Sequence, residues 1–274
     1  MTEPAVVAGA HRGPALLRES PAPLAGLPLY ELAAWRERFG VIGGITARGE
    51  AAGRGFDLGL WSAEPVGAVM TRWRQLRQSE PRLGGTLLGS QVHGADVRWH
   101  DGAEPGWLQV DGVDGHATAA QGVRLCVTVA DCVPVYLLVP DQRAAALLHA
   151  GWRGTAAGIL ERGVSLLRAR LGCAAASIVA HMGVGICGAC YEVGAEVMRG
   201  CGHAAEGPGP WHIDLRAELA SRAGALGLGD VTVSPWCSAH DRPRFYSHRA
   251  SAGADGRMVA FLGWPALPGA PVNG

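Results

Sequence analysis

The sequence predicts an α/β fold: a single domain in which mixed β-sheets pack against helices in layers. Three observations predict it. Runs of β-branched residues alternate along the chain with amphipathic, helix-period stretches. Two of those runs, Val133–Val139 and Ala144–His149, are separated only by a short turn around Pro140-Asp141-Gln142, which demands an antiparallel hairpin within the sheet. Between the two ends of the chain there is no linker-like segment and no repeat at a solenoid period.

The elements follow in order. Residues 1–27 are rich in Ala and Pro (Pro4, Pro14, Pro21, Pro23) and are expected to be a mobile tail, as are residues 265–274 with Pro265, Pro268 and Pro271. Residues 28–264 then form the domain. Val41–Thr46 reads as a strand, Val66–Gln78 as a helix with arginines opposite its apolar stripe, and Thr86–Val92 as a strand. Val123–Val129 and Val133–Val139 are strands broken by Ala130-Asp131-Cys132. Thr155–Leu171 reads as a helix with Thr155 as N-cap and Gly172 as its stop. Ser177–Met182 reads as a strand, Tyr191–Arg199 as a helix, and Asp214 as the cap of a helix reaching Leu226. Val231–Ser234 and Met258–Leu262 are late strands.

Composition bounds the function. Of 274 residues 48% are hydrophobic and 18% charged, which excludes a disordered chain. Basic and acidic residues number 24 each, so the chain is not built to wrap nucleic acid or coat an anionic membrane. Every basic residue is arginine, which removes lysine Schiff-base chemistry and a P-loop lysine. No apolar run approaches the roughly 20 residues that span a bilayer. Seven cysteines without a secretory-type segment before them point to the reducing cytoplasm, where a cysteine is a buried small hydrophobe, a metal ligand or a nucleophile.

Two motifs invite over-reading. Gly183-Val184-Gly185-Ile186-Cys187-Gly188 fits the dinucleotide fingerprint, but the glycine- and proline-rich stretch that follows holds no second strand ending in an acidic residue. Its glycines are expected to bring the backbone close to packing or to a ligand. Cys187-Gly188-Ala189-Cys190 has the spacing of a redox pair or half a zinc site; a structural zinc site wants a second pair of ligands at close spacing and none is present, so both cysteines are expected to be buried or loop residues.

Three segments carry more chemistry. His93 follows a strand in Gln91-Val92-His93-Gly94, Cys132 sits between two strands, and His149 ends a strand in His149-Ala150-Gly151-Trp152-Arg153-Gly154. Two imidazoles and a thiolate suit Zn²⁺ and also copper, and three protein ligands leave an open, catalytic position. The ligands are 39 and 17 positions apart, and spacing leaves open that both histidines are satisfied strand-end residues and Cys132 a core residue.

QVHG, then Asp114-Gly115-His116-Ala117-Thr118, then VADCVPV, HAGWRGT and CYEVG in this order resemble the polyphenol oxidase/laccase-domain family, whose members are regarded as purine nucleoside phosphorylases. The resemblance runs from about Val41 to Trp264, and ADCVP with HAGWRG at this spacing is its specific core. It implies a layered α/β fold similar to cysteine hydrolases of the deamidase-toxin type, and a metal held by His93, Cys132 and His149. It implies phosphorolysis of adenosine, inosine and methylthioadenosine, with adenosine deamination through a metal-bound water. The expected partners are purine nucleosides and phosphate, the cofactor Zn²⁺ with copper possible, and the chain a monomer or small homo-oligomer. Ser247-His248-Arg249 departs from the family's usual Ser-Tyr-Arg-Arg run, so no role is carried over to Arg249. His116 stands where relatives have an aliphatic residue.

Within that expectation Arg153, at the start of a helix, is the candidate phosphate clamp; packing on Trp152 is the alternative. Asp131 is a candidate proton shuttle or orienter of a ligand imidazole, and Asp114 a second candidate for that role or for substrate binding. Tyr191 is a candidate for stacking on the purine. His100, His203, His212 and His240 are expected on the surface or in loops, and His181 in the core. Three competing readings are a metal-free amidase with Cys132 as nucleophile, a copper phenol oxidase, and a non-catalytic partner protein.

Overall fold

In a computed structural model, residues 14–22, 26–49 and 55–267 are described. Two seven-stranded mixed sheets lie face to face. The first has the order Ala15–Leu16, Val231–Val233, Val179–Met182, Val133–Val139, Ala144–Ala150, Gly115–Thr118 and Val97–His100. The second has the order Ser20–Pro21, Leu29–Glu31, Ile42–Thr46, Met258–Gly263, Val123–Val129, Gly85–Ser90 and Gly106–Asp111.

Strand alternation explains the layering. Along Val133–Val139 the odd-numbered residues Val133, Val135, Leu137 and Val139 face one core, and Tyr136 and Leu138 face another. The first core is closed by the helices Ile159–Leu171 and Leu215–Ala225 through Leu160, Val164, Leu167, Leu215 and Leu219. The second lies between the sheets, where Leu125, Val127, Val129, Ala260 and Leu262 meet Leu138, Ala145 and Leu147. A third core, with Cys126, Val259 and Phe261, is covered by Val69, Trp73 and Leu76 of the helix Val66–Gln78. The result is one domain of helix, sheet, sheet and helix in four layers.

The expected hairpin forms with Val133 opposite Ala150 and Val139 opposite Ala144; Arg143, at φ 48°, completes its turn. Asp114 and Asp214 each gather backbone amides, and Asp214 caps its helix by accepting from the amides of Arg216 and Ala217. Gly172 ends the preceding helix at φ 65°, with its amide on the carbonyl of Arg168.

Several expectations need correction. The helix expected from Thr155 is two helices, Trp152–Ala156 and Ile159–Leu171, because Gly158 takes φ 79° between them. Thr155 lies inside the first and caps nothing. Tyr191–Arg199 is a short strand, Glu192–Val193, followed by the helix Ala195–Gly200. His100 is not a loop residue but ends a strand, where its ring lies 3.0 Å from that of His116. The N-terminal segment is no mobile tail from residue 14 to 22. Ala15–Leu16 pairs in parallel with Thr232–Val233, and the buried carboxylate of Glu19 meets His181 Nε2 at 3.1 Å and the Ser234 hydroxyl at 2.7 Å. The rest of the expected tail, residues 1–13 and 23–25, lies outside the described residues, as does 268–274.

The glycines of the false dinucleotide motif serve packing. A Cβ at Gly183 would stand 2.7 Å from the ring of Tyr136, and one at Gly185 would stand 3.0 Å from the carbonyl of Asp131.

Candidate active site

The hairpin register builds half of the site. Pro134 lies opposite His149, so Cys132, just before Val133, arrives beside the histidine despite 17 intervening steps of chain. The other half comes from the second sheet. Gly85–Ser90 runs parallel to Val123–Val129, so the loop after one and the Ala130-Asp131-Cys132 link after the other leave at the same edge. His93 sits in that loop. Its ring lies 4.9 Å from that of His149, centroid to centroid and nearly perpendicular. One donor atom each from His93, Cys132 and His149 falls within a 4.8 Å cluster.

The loops are held under constraint. Gln91 clasps the neighbouring strand, donating to the carbonyl of Thr128 at 2.8 Å and accepting from its amide at 2.7 Å. Asp114 accepts from the amides of Val92, His93 and Gly94 and, at 2.8 Å, from Nδ1 of His149. His93 and Asp131 adopt φ of 59° and 87°, left-handed values that a side chain disfavours, so both ends of the cluster carry local strain held by these contacts. Gly151 is required by closeness: a Cβ there would stand 3.0 Å from Cys132 Sγ and 3.3 Å from Cδ2 of His93.

Electrostatics follow. Burial opposes ionisation of the Cys132 thiol, but the adjacent His149 charge and hydrogen bonds from His149 and His93 hold it down at about 6. Burial likewise opposes the charged form of His149, and the Cys132 thiolate with Asp114 overcomes it, lifting the imidazole to about 9. Asp114 resists the pull of burial because His149 and the amides of Gly94 and Val92 favour its charged form, and it stays below the ordinary carboxylate value.

The cluster opens into a cavity of about 700 Å³. His93, Cys132, His149, Arg153, Tyr191 and Arg249 are among its lining residues. Arg153 stacks 4.6 Å over Trp152, and Arg249 lies 5.2 Å from the ring of Tyr191. Thus Arg153 does pack on Trp152, and it does so inside the cavity. Trp61, 90% exposed, is also among the lining residues.

Two expected roles change. Asp114 is buried, and its oxygens accept from His149 Nδ1 and three backbone amides, a geometry suited to orienting His149 rather than to meeting a substrate. Asp131 does not orient a histidine; its carboxylate accepts from the Ser238 hydroxyl and the Arg249 amide, both at 2.6 Å. Nor is the helix at Arg153 a useful anion site, since it spans only Trp152–Ala156. Sequence reasoning missed Gln91, whose motif was visible, and Arg249, set aside because its neighbours depart from pattern. It also missed that Cys187 and Cys190 do have a second pair, Cys237 and His240, at the same three-residue step.

Sequence comparison matches residues 43–265 to the family described as multi-copper polyphenol oxidoreductase laccase. The chain belongs to this family. The laccase-like family includes relatives with a different name: a purine nucleoside phosphorylase YlmD of Geobacillus stearothermophilus is 33% identical over 82% of this chain and 90% of its own length. A purine nucleoside phosphorylase of Deinococcus radiodurans is 38% identical over 66% of this chain and 70% of its own. The crystal structure of the Geobacillus stearothermophilus YlmD superposes with a TM-score of 0.76 at 30% identity, covering 96% of this chain and all of that one. A Bacillus licheniformis hypothetical protein, YfiH, gives 0.77 at 25% identity over 88% of this chain and 97% of its own.

The donors fit the metal that the family description implies, for one ion. Two imidazoles and one thiolate converge on a point left clear by Gly151, with His149 oriented from behind by a carboxylate. A multinuclear copper centre needs many more imidazoles than His93 and His149 supply here.

Proposed function

We propose that this chain is a metal-dependent purine nucleoside phosphorylase of the cytoplasm, cleaving adenosine, inosine and methylthioadenosine with phosphate. The observation that carries the reading is the shared cavity: the His93–Cys132–His149 cluster lines one space of about 700 Å³ with Arg153, Arg249 and Tyr191 among its other lining residues, within the usual range for small-ligand pockets. Relatives named purine nucleoside phosphorylase supply the reaction. The seven free cysteines suit a reducing compartment, and no described helix is long and apolar enough to cross a membrane.

In phosphorolysis an oxygen of phosphate bonds to C1′ of the ribose as the C1′–N9 bond breaks. The electron pair leaves on the purine, which takes up a proton. Arg153 and Arg249 offer the cations that hold the phosphate, since the chain has no lysine. Tyr191 flanks the base. Burial and the negative charge of Cys132 push its phenol up to about 12 against the opposing charge of Arg249, so it remains a hydrogen-bond donor at neutral pH. Asp131, bound to the Arg249 amide, positions that arginine at the rim. His93, Cys132 and His149 would hold an ion whose Lewis acidity would serve this reaction and the deamination of adenosine we assign as a side activity.

A second reading has one specific observation in its favour. Asp114, His149 and Cys132 line up as orienter, base and nucleophile, the arrangement of a cysteine amidase.

Incubation with inosine and phosphate, following hypoxanthine and ribose 1-phosphate, tests the first reading. Wild type should form both and His149→Ala neither; inactivity of wild type on inosine, adenosine and methylthioadenosine alike refutes it. Metal content separates the second: folded wild type, purified without chelator, that carries no more metal per chain than the His93→Ala/His149→Ala variant, with Cys132 freely alkylated, favours the amidase.

A further inference from the structure

Behind the wall of the cavity lies a second cluster of soft ligands. Cys187 and Cys190 sit on one loop, Cys237 and His240 on another, and a donor atom from each falls within 4.8 Å of the others. We propose that Cys187, Cys190, Cys237 and His240 form a closed structural zinc site, distinct from the His93–Cys132–His149 cluster and independent of the reaction assigned above.

The loops have the form of two ligand knuckles. Cys187-Gly188-Ala189-Cys190 and Cys237-Ser238-Ala239-His240 place their ligands at the same step, the short spacing of structural zinc sites. The first loop turns back on itself, with the Cys190 amide donating to the Cys187 carbonyl at 3.0 Å. Amides also point at sulfur: those of Cys187 and His240 approach Cys237 Sγ at 3.3 and 3.5 Å, where they favour a thiolate. The ring of His240 lies between the other two sulfurs, with Nδ1 3.5 Å from Cys187 and Nε2 3.1 Å from Cys190. Backbone pairing fixes the two loops to each other, since Gly185 bridges Cys237 and the Ser238 amide donates to the Gly185 carbonyl at 3.1 Å.

The donor set selects the ion and the role. Zn–S bonds of about 2.3 Å put tetrahedral sulfurs roughly 3.8 Å apart, so the observed spread needs only slight closure. Four protein ligands leave no position for substrate, which marks a structural site. Binding releases the thiol protons to solvent and leaves three thiolates and one neutral imidazole on the ion. The two loops also grip one residue of the cavity: Ser238 donates to the Asp131 carboxylate at 2.6 Å, and the Ile186 amide donates to the Asp131 carbonyl at 3.0 Å. Asp131 precedes Cys132, and Tyr191 follows Cys190. The zinc therefore fixes the strained backbone that presents Cys132 and the base of the wall that carries Tyr191.

The test removes the other cluster first. A His93→Ala/His149→Ala protein, purified without chelator and shown folded by circular dichroism, should retain about one zinc per chain by mass spectrometry. Replacing that zinc with Co²⁺ should give the sulfur-to-metal charge-transfer and d–d bands of tetrahedral thiolate coordination. Adding Cys190→Ser should abolish the bands, and chelation should lower Tm in the double variant. A folded double variant with less than about 0.2 metal per chain, or a Cys187–Cys190 disulfide in its unreduced peptide map, overturns the assignment. Because every readout is taken without His93 and His149, failure here leaves the phosphorylase reading untouched, and the reverse holds too.

Discussion

Asp114 Oδ1 receives the Nδ1 proton of His149 across 2.8 Å, with both side chains buried. That bond orients the ring so that Nε2 faces Cys132 and the cavity. The same carboxylate gathers the amides of Val92, His93 and Gly94, so one residue sets two of the three candidate ligands.

Asp114→Asn should therefore weaken metal binding by about 10- to 100-fold, the usual cost of losing such a partner. Competition with a chromophoric chelator checks it. A normal far-ultraviolet circular dichroism spectrum should accompany the loss.

Arg153 and Arg249 face the cavity from opposite aromatic supports. Loss of one charge-assisted contact to phosphate is worth about 1.5–3 kcal/mol, so Arg153→Ala or Arg249→Ala should raise KM for phosphate by roughly 10- to 100-fold. KM for inosine should move far less. Initial rates against varied phosphate and varied nucleoside distinguish the two.

Acid should act through His116. Burial, with the charges of His100 and Arg98, lowers its imidazole from 6.5 to about 3. The unfolded chain binds this proton below 6.5 and the folded chain does not until about 3, so the histidine makes folding weaker as pH falls through that window. Full expression is about 1.4 kcal/mol per pH unit. Urea midpoints between neutral pH and the acid end of the window should fall more steeply for wild type than for His116→Gln. Parallel lines would refute the account.

Glu19 ties the N-terminal segment to two strands of the first sheet through His181 and Ser234, all buried. Glu19→Ala takes the carboxylate from His181 Nε2 and from the Ser234 hydroxyl and should cost about 1–3 kcal/mol. Chemical denaturation would read it as a lower midpoint with unchanged slope.

These elements show what the sequence makes legible. The hairpin was readable because β-branched runs on both sides of a proline turn have one solution, and that hairpin alone juxtaposes Cys132 and His149. The ligands themselves were readable through the family motifs; distance along the chain gave no hint of His93. Val97–His100 and Gly115–Thr118 were not readable, since their strand state comes from pairing to each other and to Leu148 rather than from their own residues. Glu19 looked like a tail residue because its partners lie more than 160 positions away. The second cluster was hidden for the same reason: half of its ligands stand five elements later, and only the Cys237-x-x-His240 step betrayed them.

The strand that begins beside Cys132 belongs to both major cores, and its hairpin partner carries His149. Parting these two ligands means tearing a ladder that both cores enclose, an opening that costs nearly as much as unfolding the domain. His93 hangs outside the sheets, exposed and tethered by Gln91 and Asp114. An ion held by these three residues would lose His93 first, and its escape rate would be set by the opening of one loop rather than by the breathing of the whole fold.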